Sequence, residues 1–369
     1  MTKSYDNFIG EHSLAKVRLY GYYLAIYLNI LSRAGIASKI LLFDLFAGEG
    51  KYKNEEKGSP IIALECIERH SKENGTCPDI RIVFNDSGMS EIEPEKSKIQ
   101  RVAEFAAQIP VPNNVEIVYS TQDFKDALKQ AQIAFRAERR PAGLFFIDPF
   151  GYKEVPPDVI KDILAFGRTE VLLFAPISQM HRFATSAMHD DFPGSEPLKR
   201  FLTSLYGDTL PSFKSPEDFI EGIKQQFKNF LGAKFYVGSF SLDAGSNTYA
   251  LFFFTQSIDG FERMIEAIWK FDPNSGQGFR GEEHPMLLTK YELENYPSKL
   301  LQFIQISKSG RTNHELLVFG LENGFRRTHT NQALNQLDDK IEKQALDNKV
   351  IRGNYIGNKS RRIMFKVKD

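Results

Sequence analysis

The stretch Lys39–Lys51, KILLFDLFAGEGK, decides the fold of this chain. Four consecutive apolar residues, Ile40–Phe43, predict a strand that is buried on both faces, as in a parallel sheet. Asp44 follows this strand, and Gly48 and Gly50 then punctuate a turn. Glycine permits a sharp bend and lets a ligand approach the main chain without a Cβ in the way. The stretch therefore predicts a nucleotide-cofactor loop, with a ligand-free strand-to-helix turn as the alternative.

Further strands follow, and three of them run into polar residues. Asn85-Asp86 follows the strand Arg81–Phe84, Thr121-Gln122-Asp123 follows Val115–Tyr119, and Asp148 follows Ala142–Ile147. Open α/β sheets bind ligands at these carboxyl ends, and an acidic residue after the second strand holds a ribose hydroxyl. A fifth strand, 169–176, precedes a hairpin formed by 235–242 and 249–256. The predicted fold is α/β, with the Rossmann-like parallel sheet and antiparallel closing hairpin typical of class I methyltransferases.

Composition limits the classes of function. The 369 residues suffice for one large domain with an appendage or for two domains, and 47 basic residues balance 47 acidic ones. Any nucleic acid must therefore meet a local basic patch. Cys66 and Cys77 do not form a pair at metal-ligand spacing, so we expect no metal and a reducing compartment. The apolar run Leu19–Leu31 is too short to span a bilayer, and the start lacks a signal-peptide core, so we expect a cytoplasmic protein.

An amphipathic helix is predicted before the first strand, over residues 12–33. Lys16 and Tyr20 lie on it. Both side chains are within reach of the cofactor site in principle. A helix that packs on the sheet, with Lys16 in solvent, is the preferred interpretation.

The fourth strand is predicted to carry the chemistry. Asp148-Pro149 followed by aromatic residues resembles the Asp-Pro-Pro-Tyr signature of methyltransferases that act on exocyclic amino groups of bases. The carboxylate would accept the amino hydrogens, assisted by the Pro149 carbonyl, and Phe150 or Tyr152 would stack on a base drawn out of its helix. Phe150 replaces the second proline and Gly151 the aromatic residue of the signature, so a plain strand end is the alternative. Residues 177–234 form an insertion expected to line the substrate cleft.

The tail, residues 297–369, differs in character from the rest. From residue 300 onward it holds thirteen Lys or Arg against seven Asp or Glu. Two short helices, a third helix over His329–Leu346, and strands at Val350–Tyr355 and Arg361–Val367 follow the order of a winged helix. We predict a winged-helix domain at 297–369 after a methyltransferase-like domain at 1–296.

The third helix of the tail and the wing after it supply candidate contacts to nucleic acid. A recognition helix presents base-contacting side chains from its amino end, and a wing meets phosphates. The candidates are Arg326, Arg327, His329, Gln332 and Asn335 on the helix and Lys359, Arg361 and Arg362 on the wing. A winged helix that docks a partner protein is the alternative.

Several motifs in combination make the chain similar to a known bacterial family. HSLAKVRLYGYYLAIYLNIL, DLFAGEGKY, GSPIIALE, FNDS and FFIDPFGY resemble the three-Cys-motif partner (TcmP) family over about the first 180 residues. The resemblance implies a class I methyltransferase-like domain that binds S-adenosylmethionine and is often encoded beside a protein with a three-cysteine motif of the radical-enzyme type. It implies a cofactor site that uses Asp44, Phe46, Ala47, Gly48, Gly50, Asp86, Gln122 and Asp123, with Asp148 at the reaction site.

Two functions from different classes remain open on the sequence. The first is methyl transfer from S-adenosylmethionine to a nucleobase amino group in DNA or RNA. No Pro-Cys nucleophile pair is present, so attack through a covalent cysteine adduct is disfavoured. The second is a partner subunit that keeps the fold, with little or no catalysis, and docks a neighbouring three-Cys-motif protein. Methylation of a protein or small molecule is a third, weaker alternative.

Overall fold

The structure is a computed structural model that describes residues 11–75, 78–149, 155–189, 194–244, 247–271, 278–279, 288–346, 356 and 362–368. The chain divides into two compact units. The first comprises Met1–Ser257 and Phe279–Gly281, and the second comprises Ile258–Gly278 and Glu282–Asp369. The boundary that we predict after residue 296 falls inside a helix of the second unit, Leu288–Gln305, which continues through Pro297.

One mostly parallel sheet forms the centre of the first unit. Its strands are β1 (Lys39–Asp44), β2 (Ile80–Asn85), β3 (Val115–Ser120), β4 (Pro141–Ile147), β5 (Arg168–Ala175), β6 (Tyr236–Ala244), β7 (Asn247–Thr255) and the two-residue β8 (Gly278–Phe279). The order across the sheet is β3-β2-β1-β4-β5-β7-β6-β8. Strands β1 to β5 pair in parallel, and β7 runs antiparallel to both β5 and β6. This is the strand order of class I methyltransferases, so the predicted fold is confirmed.

The sequence of β1 explains its central place. Ile40, Leu41 and Leu42 are fully buried, and Phe43 is 2% exposed. The strand pairs with β2 on one side and β4 on the other, so its backbone groups are satisfied while both faces are covered. The sheet reverses its winding between β1 and β4, and doubly wound sheets bind ligands at such a point.

The helices of the first unit form two groups. They are α1 (Glu11–Ala34), α2 (Ser59–Asn74), α3 (Lys98–Ala106), α4 (Phe124–Ala137), α5 (Pro157–Leu164), α6 (Ile177–Met188), α7 (Glu196–Tyr206) and α8 (Pro216–Leu231). Helix α2 packs against both α1 and α3. Helices α4 to α8 share one apolar core with the sheet. The insertion between β5 and β6 therefore folds as three helices that bury apolar side chains against the domain. Within the described residues, we find no helix with the length and hydropathy needed to cross a bilayer.

Gly143 on β4 shows how closely this core is packed. A methyl group added there would overlap the tip of the Phe135 ring of α4. Phe135 is 4% exposed and lies 6.0 Å, centre to centre, from the rings of both Phe43 and Phe145, so it has little room to move. We expect Gly143→Ala to lower the free energy of unfolding by about 1–3 kcal/mol, as measured by urea denaturation. In a Phe135→Leu background the same change should cost markedly less, and an equal cost in both backgrounds would show that ring overlap is not the cause.

The second unit is mainly helical and holds a small antiparallel sheet. Its elements are α9 (Ile258–Phe271), α10 (Leu288–Gln305), β9 (Arg311–Thr312), α11 (Asn313–Glu322), α12 (Arg327–Gln336), β10 (Ile341–Ala345) and β11 (Ile363–Val367). The sheet has the order β10-β11-β9. Thr312 caps α11: its hydroxyl accepts the Glu315 N–H and the Glu315 carboxylate accepts the Thr312 N–H.

The third helix of the tail is shorter than predicted. The third helix ends at Gln336, ten residues before the predicted end at Leu346, and β10 occupies part of the difference. The prediction failed because IEKQA suits either a helix or an edge strand, and its pairing with β11 decides for the strand. The strand predicted at Val350–Tyr355 lies outside the described residues. The winged-helix assignment itself stays a prediction.

Candidate functional site

The glycine loop that follows β1 contains two glycines in the left-handed region, for different reasons. Gly48 has φ +66° and Gly50 has φ +75°. A Cβ on Gly50 would press against Val102 of α3, whose Cγ2 would be 3.2 Å away. A Cβ on Gly48 would meet only the Tyr52 hydroxyl oxygen, at 3.9 Å. Gly50 is thus required by packing, whereas Gly48 borders open space that a ligand can approach.

Asp86, the acidic residue after β2, is joined to this loop. Its Oδ2 accepts the Gly48 N–H at 3.1 Å, and its Oδ1 accepts the Gly88 N–H at 2.8 Å. The Lys98 ammonium of α3 lies 3.7 Å from Oδ1. Both side chains are at most 9% exposed. Each carboxylate oxygen keeps a further lone pair, so Asp86 can still accept a hydrogen bond from a ligand hydroxyl.

A buried ion pair, which the sequence motifs did not predict, fixes the other side of the glycine loop. Glu49 Oε2 lies 2.5 Å from Arg101 Nη1, and both side chains are 5% exposed. Glu49 Oε1 accepts the Glu91 N–H at 2.7 Å, while Arg101 Nε donates to Glu93 Oε1 at 3.0 Å. Removing one partner of such a pair leaves an uncompensated buried charge, so the pair acts as a rigid link from the loop to α3. The sequence feature that could have predicted this pair is the glutamate between the two glycines of the loop.

The ends of β1 and β3 are held together by Asn85, the last residue of β2. Its side-chain amide donates to the Gln122 carbonyl oxygen at 3.1 Å and accepts the Gln122 N–H at 3.1 Å. Its backbone carbonyl accepts the N–H of buried Ala47 at 3.0 Å. Asp123 caps α4 by accepting a backbone N–H at 3.0 Å, and its side chain is exposed, like that of Gln122. The half-buried Phe46 ring stacks on Phe124 at 5.2 Å. The structure thus brings all eight predicted cofactor residues to one edge of the sheet.

Asp44, the last residue of β1, is a buried carboxylate. It is fully buried, and neither carboxylate oxygen has a hydrogen-bond partner of normal geometry within the described part of the chain. Burial raises the pKa of Asp44 from 3.8 to about 7; the nearby Ser59 hydroxyl opposes this shift, and the charges on Asp148 and Asp86 add to it. An orphaned buried carboxylate requires an explanation, and a cationic ligand group is one that fits the sign of its charge.

Asp148, immediately after β4, forms an ion pair with Lys16 of α1. Lys16 is 8% exposed, and its ammonium lies 4.2 Å from the centre of the Phe174 ring. The expectation that Lys16 is solvated is therefore wrong. The helical spacing could have predicted this burial, because Lys16 lies one turn before Tyr20 on the same face of α1. Tyr20 is buried, and its ring stacks on that of Phe146 of β4 with the ring centres 4.4 Å apart. The next proline, Pro149, is buried.

Aromatic side chains surround this ion pair. Phe174 at the end of β5 stacks on Tyr249 of β7, with ring centres 5.3 Å apart and planes 13° apart. Burial raises the pKa of the Tyr249 phenol, and the charge on Asp148 adds to the shift. The predicted stacking residues Phe150 and Tyr152 lie outside the described residues. Within the described chain, Phe174 and Tyr249 supply an aromatic face beside Asp148 that the sequence did not reveal.

Three of the predicted nucleic-acid contacts are engaged within the second unit. The Arg326 guanidinium lies 4.7 Å from the Trp269 ring centre, and His329 contacts the same ring edge-on at 4.4 Å. Arg327 forms an ion pair with Glu262 of α9. His329 is 8% exposed, and burial together with the charge of Arg326 lowers its pKa to about 4. Burial removes His329 from the surface, so the expectation that it contacts a base needs correction.

The other predicted nucleic-acid contacts are either exposed or lie outside the described residues. Gln332 and Asn335 are exposed on α12, and Arg362 is exposed before β11. Lys359 and Arg361 lie outside the described residues. Of the predicted contacts, the described residues thus leave an uncharged polar pair on α12 and one arginine before β11 exposed. Across the described residues, we find no group of three or more His, Cys, Asp or Glu side chains that is arranged to hold a metal ion.

Comparisons with known proteins give structural likenesses only. No protein-family model and no curated protein matches the sequence. Protein LPL1258 from Legionella pneumophila, of family DUF519, is similar over 70% of this chain and 91% of its own, with 14% identity and a TM-score of 0.41. The O-methyltransferase TomG from Streptomyces achromogenes, solved with SAM, covers 64% of this chain and 78% of its own, with 15% identity and a TM-score of 0.30. Loganic acid methyltransferase, solved with SAH, covers 97% and 94%, with 10% identity and a TM-score of 0.28. The methyltransferase-like fold of this chain rests on its own strand order.

Proposed function

We propose that this chain is an S-adenosylmethionine-dependent methyltransferase that acts on a nucleobase amino group in DNA or RNA. The observation that carries the proposal is the open main chain at Gly48, which lies between the buried Asp44 and the β2-end Asp86. Polar groups at the carboxyl ends of adjacent strands are where such sheets bind nucleotides. Membership of the TcmP family, to which the motifs are similar, is part of the same proposal.

The residues present fit the cofactor. The orphaned Asp44 carboxylate would receive the cationic amino group, and Gly48 has room above its Cα for the amino-acid end. Asp86 has spare lone pairs for ribose hydroxyls, and exposed Gln122 and Asp123 lie where the adenine would be held. When bound, S-adenosylmethionine supplies a methyl group that its positive sulfur activates toward a nucleophile.

At the reaction site, Asp148 would orient the target amino group. One oxygen, Oδ2, is engaged by Lys16, which fixes the plane of the carboxylate. The other oxygen, Oδ1, would accept an amino hydrogen, so that the nitrogen lone pair turns toward the methyl group, and would take the proton lost after transfer. Phe174 and Tyr249 would provide the aromatic surface for a base drawn out of its helix. Direct displacement needs mainly this positioning and the exclusion of water.

The second unit would hold the polynucleotide. The basic balance of its residues from 300 onward supports this role, as does the exposure of Gln332 and Asn335 on α12, since Gln and Asn pair with adenine edges. We propose that α10 to β11 form a winged helix in which α12 is the recognition helix. Arg362, with Lys359 and Arg361, would contact phosphates.

A second candidate function has its own support in the Lys16–Asp148 ion pair. An ammonium already occupies the carboxylate that should receive the target amino group. In that case the chain is a partner subunit without catalysis, which docks a neighbouring three-Cys-motif protein. Copurification with that neighbour, together with no methyl incorporation into DNA, RNA or protein, would favour this candidate over the first.

The test of the cofactor site is calorimetry with S-adenosylmethionine and S-adenosylhomocysteine. We expect Gly48→Ala to weaken the binding of both by about tenfold or more, because the new methyl occupies the space of the ligand. Gly75→Ala is the matched control, since Gly75 has φ +67° and open space around it at the end of α2. Both changes carry the same backbone strain, of about 1–2 kcal/mol. Equal affinities of the two variants, or no binding by the unaltered chain, would refute the proposed cofactor site.

A further inference from the structure

A concavity lies in the first unit, beside the amino ends of α4 and α5 and along α7. Its volume is about 820 Å³, and its walls come from the starts of α4 and α5 and from α7. Among the described residues, it shares only Asp123 with the proposed cofactor site. Small-ligand sites occupy about 300–1,000 Å³, so this cavity is large enough for a nucleotide. Apart from Asp123, different side chains therefore form it.

The charges around the cavity favour an anion. Lys125, Lys199 and Arg200 are its cationic residues, and Asp123 and Asp158 are its acidic ones. Asp123 already accepts a backbone N–H of α4 at 3.0 Å, which satisfies part of its hydrogen-bonding capacity. Asp158 lies in the first turn of α5, where the helix dipole offsets its charge. Three cationic and two acidic side chains thus line the cavity.

The rest of the lining suits a ligand with a flat apolar part. Phe124, Pro156 and Pro197 provide apolar surface, and Thr203 and Ser204 provide hydroxyl groups on the same helix as two of the cations. Aromatic and apolar platforms beside basic side chains bind nucleotides without strong base preference. Hydroxyl, guanidinium and ammonium groups together are typical ligands of phosphate oxygens.

We propose that this cavity binds a phosphorylated nucleoside, separately from the cofactor. Its base would lie on the apolar wall formed by Phe124, Pro156 and Pro197. Its phosphate would meet Lys199 and Arg200. Two kinds of ligand would present these groups: a free mononucleotide, or one nucleotide of a single strand. In the second case the cavity holds a strand near the sheet edge where the methyl-transfer site is proposed.

The experiment is calorimetric titration of the full chain with adenosine 5′-monophosphate and, separately, with a short single-stranded oligonucleotide. We expect Arg200→Glu to weaken the bound probe by about tenfold or more, because one charged hydrogen bond is lost and a repulsion is gained. Ser204→Trp changes no charge but fills the cavity, so it should weaken the same probe. If only the oligonucleotide binds, the ligand is a nucleotide within a single strand. If both probes bind, a mononucleotide is sufficient for binding.

The controls separate this proposal from the proposed cofactor site. Lys214→Glu makes the same charge change at an exposed position that does not line the cavity, and it should leave affinity nearly unchanged. Three results would overturn the proposal: neither probe binds, Lys214→Glu weakens binding as much as Arg200→Glu, or saturating S-adenosylmethionine displaces the probe. The last result would assign the cavity to the cofactor. The affinity of each variant for S-adenosylmethionine, measured in parallel, should match that of the unaltered chain and tests the cofactor site independently.

Discussion

Replacing Asp148 with Ala should lower methyl transfer to the polynucleotide by a factor of about 10² to 10⁴, with cofactor affinity nearly unchanged. The change removes the oxygen that would accept the target amino hydrogen. Asp148→Asn should keep a measurable part of the activity, because the amide oxygen can still accept one hydrogen bond. The measurement is the incorporation of labelled methyl groups into DNA and RNA, beside calorimetry of cofactor binding. Methylation that survives Asp148→Ala would show that the assigned role is wrong.

The control for this experiment must separate the loss of the Asp148 carboxylate from the loss of its ion pair with Lys16. Asp148→Ala leaves the ammonium of Lys16 buried without its partner, which costs about 3–5 kcal/mol and lowers the stability of the variant. The double variant Lys16→Met, Asp148→Ala removes both charges and should recover much of that stability while remaining inactive. Asp162→Ala, on the exposed side of α5, should change neither property. If Lys16→Met alone increases methyl transfer, the ion pair is an obstacle to catalysis, which contradicts the positioning role that we propose for Lys16.

Replacing Asp44 with Asn should weaken the binding of S-adenosylmethionine by about 10- to 100-fold, because a charged hydrogen bond to its amino group is lost. The pKa of Asp44 near 7 adds a pH dependence. Only the ionised carboxylate attracts a cation, so the affinity of the unaltered chain should rise as the pH increases to about 7. It should fall again above about pH 8, where the α-amino group of the ligand loses its proton. The variant should lack this rise. A variant that binds as tightly as the unaltered chain at every pH would exclude Asp44 from the site.

The same substitution should also change how stability depends on pH. The raised pKa means that the folded chain keeps a proton on Asp44 between 3.8 and about 7, whereas the unfolded chain releases it. The stabilisation by the neutral acid is therefore complete below about pH 4 and is lost as the pH rises through 7. At about 1.4 kcal/mol per pKa unit, the loss is up to about 4 kcal/mol. Urea denaturation without ligand should show that Asp44→Asn removes this part of the decline. Burial raises the pKa of Glu170 to about 7 as well. Glu170 is unaltered in both proteins, so the comparison isolates Asp44.

The parallel sheet could be predicted from the sequence because its strands are locally encoded. Ile40–Phe43 is an unbroken apolar run, and the structure buries every residue of it. The glycine turn and the polar residues that end β2, β3 and β4 follow from the same local logic. The apolar residues of α7 and α8 recur at helical spacing, so these helices are locally encoded as well.

The features that escaped prediction depend on partners distant in sequence. Lysine side chains usually lie in solvent, and only the pairing of Lys16 with Asp148 explains its burial. Arg101 looks like any helix-surface arginine until Glu49 is placed beside it. Residues 341–345 carry no decisive period, so β10 forms because β11 pairs with it. Single-sequence patterns describe neighbours along the chain, whereas these choices are made by neighbours in space.

The buried pair of Glu49 and Arg101 has a consequence for ligand binding. Since the pair links the glycine loop to α3 through short, buried contacts, side chains of the chain itself hold the loop in this shape. Preorganisation of this kind lowers the conformational entropy that a ligand must remove, so association should be fast and should show little slow isomerisation. A drug-like molecule aimed at this loop would meet a rigid target rather than an adaptable one.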